Sequence, residues 1–319
     1  MTAYLDVFVP AFGLLALGAL LRRFLLRDGA VWAGIERLVF WALMPALLVS
    51  SIASVDLAAL PLGRMASAIW LALLGGTVLS LLLARAARLD HAAMTSVLQG
   101  GIRFNNLMGF ALVGGLYGPP GTALGAVATG LIVPFVQVVT VAAFALAPMG
   151  ATAGGTAGGG GRRFSPRRVA GQLATNPLLV ACLLGFAVSA LGGLPPGIGP
   201  LLRSLGGASV ALGLLCVGAA LSPGALRGRA GVQAATCVVK LALVPAMTLA
   251  LGTALGLDPL SLVVALVFMA LPTATTSYVM SRALGGDAPL MAALTTTEHV
   301  VSVLTLPLWI ALLGTPPPG

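Results

Sequence analysis

Ten times this chain runs for about twenty residues with hardly a charge, the length a helix needs to cross the hydrocarbon core of a bilayer. The segments fall at roughly 3–22, 33–53, 65–84, 92–116, 121–147, 174–192, 201–221, 230–252, 260–282 and 289–313. A backbone in lipid must satisfy its own polar groups, so runs of this kind are held to helices. Composition agrees: 59% of residues are hydrophobic and 8% charged, where a soluble domain carries roughly 25% charged residues. The expectation is an all-α integral membrane protein.

Charges between the segments test the count. Arg22, Arg23 and Arg27 follow the first segment, and Arg85 and Arg88 the third. Arg162, Arg163, Arg167 and Arg168 follow the fifth, Arg227 and Arg229 the seventh, and Arg282 the ninth. The other connections hold Arg64 alone, with Arg203 at the start of the seventh segment. Positive charge thus alternates with each crossing, as the positive-inside rule requires. It places both termini outside the cytosol in a multi-pass protein of the cytoplasmic (inner) membrane. The formal net charge of +9 is then a topology signal, so the expected partner is lipid and not nucleic acid. The first arginines follow the first apolar run, so that segment is expected to be a retained helix and not a cleaved leader.

The chain divides nearly in half. Residues 1–149 hold five segments, 150–168 form a Gly- and Arg-rich linker expected in the cytosol, and 169–319 hold five more. Five is odd, so the halves must run in opposite directions across the membrane. Short matches support a repeat. At an offset of 168, Leu89-Asp90 pairs with Leu257-Asp258, Leu98 with Leu266, Leu116 with Leu284, and Gly118 with Gly286. An offset of 167 pairs Pro10 with Pro177 and Gly18 with Gly185. Inverted five-helix repeats typify secondary transporters, whose sites form where discontinuous helices meet.

Two stretches break the apolar pattern. Gly100 to Phe110 carries Arg103, Asn105, Asn106 and three glycines inside the fourth segment. Leu271-Pro272-Thr273-Ala274-Thr275-Thr276-Ser277 occupies the matching place in the ninth, with Asn105 falling on Thr273 at the offset of 168. Each break lies about 18 Å along its helix, near the middle of a core about 30 Å thick. Glycines there loosen a helix, and polar groups in lipid must face a cavity or a partner. Asn105 and Asn106 suit a carboxylate or a partly dehydrated cation equally well. Thr273, Thr275, Thr276 and Ser277 either line the cavity or bond back to their own helix. Arg103, Lys240, Glu298 and His299 are the deepest ionisable residues. They are functional candidates, or members of an internal ion pair such as Glu298 with Arg103 or Lys240. Pro45, Pro134, Pro245 and Pro307 read as bends. Cys182, Cys216 and Cys237 read as small core residues, so no disulfide or metal framework is expected. No phosphate loop, zinc spacing or nucleophile elbow occurs, and neither an enzymatic site nor a cofactor is expected.

At these residues the chain resembles the auxin efflux carrier family, bacterial permease type. Arg103-Phe104-Asn105-Asn106 with Gly109-Phe110 is similar to the family's fourth-segment pattern, closed by Leu116-Tyr117-Gly118. Asn176-Pro177-Leu178, Val217-Gly218-Ala219-Ala220-Leu221, Lys240-Leu241 with Val244-Pro245, Leu271-Pro272-Thr273-Ala274 and Thr305-Leu306-Pro307-Leu308 carry the likeness through the second half. The resemblance implies ten helices in two inverted repeats, akin to the bile acid:sodium symporter and sodium/proton antiporter folds. Helices 4 and 9 would be broken and cross at the centre. It implies an organic anion as substrate, such as an auxin-like acid, malonate or malate, and it allows a homodimer. Glu298-His299 departs from the Ser/Thr-rich sequence expected there.

The expected function is a secondary carrier of a small mono- or dicarboxylate. Asn105 and Asn106 would hold the carboxylate, Arg103 or Lys240 would supply positive potential, and Pro272, Thr273, Thr275 and Thr276 would complete the site. The coupling ion, proton or sodium, is open, with Glu298 and His299 as candidates. Alternatives are a sodium/proton exchanger, for which Glu298 is the only deep carboxylate, or a solute receptor signalling through the linker. An intramembrane enzyme using Glu298 and His299 fits poorly, since adjacent residues point about 100° apart on a helix.

Overall fold

The computed structural model describes residues 2–54, 62–146, 166–222, 224 and 228–314. Most of the linker, including Arg162 and Arg163, lies outside the described residues, as does Arg227. The regular elements run α1 (Thr2–Phe24), α2 (Gly29–Leu38), α3 (Met44–Ile52), α4 (Leu62–Ala86), α5 (His91–Ile102), α6 (Asn106–Ala145), α7 (Pro166–Ala174), α8 (Pro177–Ala190), α9 (Ile198–Ala220), α10 (Ala230–Val238), α11 (Val244–Ala254), α12 (Pro259–Ala270), α13 (Thr276–Leu284) and α14 (Ala288–Leu313). All are helical. α7 falls partly in the stretch expected to be linker.

Seven continuous helical runs among the described residues are long and apolar enough to cross a membrane, and Pro177–Ala190 and Pro259–Ala270 are shorter apolar helices. The longest run, His91–Ala145, has 55 residues. At 1.5 Å per residue it would reach about 80 Å, more than twice a bilayer core. It is broken after Ile102 and turned at Gly118, whose φ of 60° and ψ of −148° only glycine adopts without strain. In the second half the corresponding left-handed residue is Gly285 (φ 83°), one place before the partner that the offset of 168 predicts.

Local chemistry starts and stops these helices. Asp90 Oδ1 accepts the Ala93 N–H (2.8 Å) at the head of α5, and Asp258 Oδ1 accepts the Ser261 N–H (3.0 Å) at the head of α12. Both are N-caps, and each opens a helix of 12 residues. Asp28, Asn176 and Asp287 cap α2, α8 and α14 in the same way.

Two prolines do more than bend. Pro45 and Pro245 lack an N–H, and each follows a five-residue π-turn, Val39–Leu43 between α2 and α3 and Val239–Leu243 between α10 and α11. There Met44 N donates to Val39 O and Val244 N to Val239 O. The widened turn keeps the ring off the preceding carbonyls. Leu241 O, which the residue after Val244 would have bonded in an α-helix, instead accepts Trp309 Nε1–H at 2.7 Å.

The helices pack as two groups. α1, α2, α3, α8 and α9 form one; α4, α5 and α10 to α14 form the other, and α6 touches both. Each group draws on both halves of the sequence. In the first, α1 lies along α9 with no side chain between them at two points. A Cβ on Gly18 would overlap the carbonyl of Leu215, and one on Gly218 the carbonyl of Leu15. Small residues permit this backbone approach between membrane helices. In the second, fully buried Phe268 packs against Phe104 and Phe110, with ring centroids 6.0 and 5.7 Å away. It fills hollows left by Gly109 and Gly125. All three cysteines are buried, as the sequence suggests, and their thiols are free.

Candidate functional site

The two breaks meet. α5 ends at Ile102 and α12 at Ala270, and the capping residues Arg103 (ψ 163°) and Leu271 (ψ 145°) are extended. Each chain then crosses three to five residues before a new helix begins. The backbone N–H of Asn105 donates to Pro272 O at 2.8 Å. Proline suits this place: it has no N–H to leave unpaired in the break, and its carbonyl, free of any helix, takes the partner's amide.

Asn105 is almost fully buried, and both ends of its side chain are engaged. Oδ1 accepts the Met108 N–H (3.3 Å), capping α6, and Nδ2 lies 3.0 Å from His299 Nε2. The histidine's other nitrogen, Nδ1, lies 2.7 Å from Thr295 O. A carbonyl only accepts, so Nδ1 carries the hydrogen and Nε2 is the bare acceptor for the Asn105 amide. α14 is thereby tied to the start of α6.

Asn106 differs. Its Oδ1 accepts from Thr129 Oγ1 at 2.7 Å, while Nδ2 is buried with no partner. Arg103 donates to Met280 Sδ (2.9 Å) and Thr276 Oγ1 (3.2 Å). A thioether and a hydroxyl are weak partners for a guanidinium with five donors. Among the described residues the one close ion pair is Arg229 with Asp287 (3.3 Å), at the molecule's edge. The expected pairs of Glu298 with Arg103 or Lys240 do not form at contact distance.

Glu298 bonds to backbone instead. Its Oε2 accepts the N–H of Thr273 at 2.8 Å, inside the second break, and its Oε1 has no partner. Lys240, fully buried on the second π-turn, donates to Met269 O (3.3 Å) near the end of α12. It lies within electrostatic reach of Glu298. Thr273 Oγ1 donates to Gln99 O (3.3 Å) and sits 3.5 Å from Ser277 Oγ. Thr275 is half-buried at the head of α13 and caps nothing with its side chain. The glycines of the first break serve packing more than looseness: a Cβ on Gly101 would overlap Ser80, and one on Gly100 would meet Thr236, Leu294 and Glu298.

Arg103, Asn105, Pro272, Thr273, Thr276, Glu298 and His299 are therefore joined by hydrogen bonds around one crossing, with Lys240 beside it. Sequence reasoning missed three members. Gln99 donates from Nε2 to Ser281 Oγ (2.9 Å), Thr129 holds Asn106, and Met280 receives Arg103. A glutamine in the middle of an apolar helix was a visible signal for the first; nothing marked the other two. Two helix N-termini, those of α6 and α13, start at the crossing, and partial positive charge gathers at such ends.

Residues 163–310 match the model of a family described as membrane transport protein. No curated protein matches the chain.

Proposed function

We propose that this chain, whose residues 163–310 match a family of membrane transport proteins and whose motifs resemble the auxin efflux carriers, is a secondary carrier of a small organic anion. The single observation behind the substrate class is the surplus of hydrogen-bond donors at the crossing. The Arg103 guanidinium has no carboxylate, the Asn106 Nδ2 has no acceptor, and two helix N-termini start beside them. A mono- or dicarboxylate supplies what that constellation lacks. Arg103 and Asn106 would bind it, and Thr275 and Thr276 would line the opposite side. Asn105 and Pro272 set the spacing between the breaks.

Ten crossings in two inverted five-helix repeats account for the paired caps at Asp90 and Asp258, the paired breaks and the two reversals near Gly118 and Gly285. The arginine pattern supports both termini outside the cytosol of the inner membrane. The two helix groups offer the moving parts: rocking of the group that carries the breaks against the group built on α1 and α9 would open the crossing to either side in turn. Uptake of labelled malonate, malate and an auxin-like acid into proteoliposomes tests the site. Arg103→Gln and Asn106→Ala should each cut uptake by roughly tenfold, equivalent to ~1.4 kcal/mol. Wild-type rates from both variants, each correctly inserted, would remove these residues from the site.

A further inference from the structure

The carboxyl group of Glu298 is held, fully buried, at the place where an anionic solute is to bind. It has one oxygen on the Thr273 N–H and one oxygen on nothing. We infer that this free oxygen is the proton site that couples transport, so that the carrier moves one proton with its anion. This inference rests on the anion-carrier reading above.

The surroundings of Oε1 decide which cation fits. The space between it and Gly100 is bounded by the Thr236 methyl carbon and a Leu294 methyl carbon. The Thr236 hydroxyl is turned away to Val232 O. A metal ion needs a shell of oxygen ligands, whereas the two neighbours named here are carbons. No group of three His, Cys, Asp or Glu residues among the described residues is placed to hold a metal. A proton needs only the one oxygen. The neighbouring His299 is a poorer acceptor of it: Nδ1–H is given to Thr295 O, and Nε2 already accepts from Asn105, so a second ring proton would face an N–H head-on.

Of the elements packed against α14, the titratable groups facing Glu298 are Lys240 on the π-turn and Cys237 at the end of α10; α1, α5, α12 and α13 present none to it. The charge balance follows. With Glu298 ionised, Lys240 and Glu298 sum to zero beside the crossing. A proton added to Oε1 breaks no bond in the protein and leaves Oε2 on Thr273. The pair then carries one net positive charge, which favours the solute anion, and the proton leaves when the anion does.

Two measurements on the reconstituted full chain test this. Infrared difference spectra between acid and alkaline pH should show a protonated-carboxyl band that Glu298→Gln lacks; a spectrum unchanged by that substitution overturns the assignment whether or not any solute has been found. In proteoliposomes with the membrane potential clamped at zero, the equilibrium accumulation of labelled malonate should rise about tenfold per pH unit of inward proton gradient. Glu298→Gln mimics the protonated form, so it should still exchange internal for external malonate but lose the response to the gradient; Glu298→Asp, which keeps a carboxyl, should retain part of it. A Gln variant that still follows the proton gradient, or a sodium gradient that replaces protons in the wild type, refutes proton coupling. Absence of malonate, malate and auxin flux in a wild type that shows the carboxyl band would instead count against the anion-carrier reading.

Discussion

Asn105→Ala probes the crossing directly, because it removes two side-chain bonds while sparing the backbone bond to Pro272. Loss of Oδ1 uncaps α6 at Met108, which costs about 1 kcal/mol. Loss of Nδ2 strips His299 Nε2 of its donor; an interhelical bond of this kind within a membrane contributes about 0.6 kcal/mol on average and up to about 1.7. The expected destabilisation is therefore about 1.5–3 kcal/mol. His299→Ala breaks only the second bond, so a double-mutant cycle between the two positions should give a coupling of about 0.6–1.7 kcal/mol. Reversible unfolding in mixed micelles, followed by tryptophan fluorescence, measures all four species. Solute flux adds a second readout: Asn105 positions the break, so its loss should lower maximal rate more than apparent affinity. A cost below about 0.5 kcal/mol for Asn105→Ala, or a coupling indistinguishable from zero, would refute the tie between α14 and α6.

Two further outcomes follow from the packing. Trp309→Phe should orphan Leu241 O beside the π-turn that carries Lys240, at a cost of about 1–3 kcal/mol; Pro245→Ala in the same chain should recover part of it by restoring an N–H, as read from the unfolding midpoint. Gly18→Ala and Gly218→Ala should each destabilise by at least about 1–3 kcal/mol, because the new methyl meets backbone and not a movable side chain. Gly13→Ala, on the same helix but facing open space, should be neutral in the same melting assay.

Both breaks are legible in the sequence because lipid makes polar residues in an apolar helix conspicuous, and Pro272 marks the second. Asp90 and Asp258 were legible as a matched pair, and they prove to be matched caps. What the sequence hid is tertiary. Nothing local says that His299 bonds Asn105, since α14 reaches the crossing only through the packed fold. Glu298 looked for a charged partner on paper and found a backbone amide, because a helix break leaves such amides free. Pro45 and Pro245 read as simple bends, whereas each sits behind a π-turn that a bare proline does not announce. The glycines around Gly100 read as loosening; Ser80, Thr236 and Leu294 press against them instead.

The contact between Gly18 and the Leu215 carbonyl has a consequence for how the chain is made. α1 emerges well before α9, whose surface covers its glycine face, and Gly218 follows Gly18 by about 200 residues. At ordinary translation rates of about 5–20 residues per second, α1 waits roughly 10–40 s in the bilayer before its partner arrives. During that interval its groove is open to lipid, to the insertion machinery or to another newborn copy. An early helix is thus seated late, and until then it depends on a membrane that keeps it single.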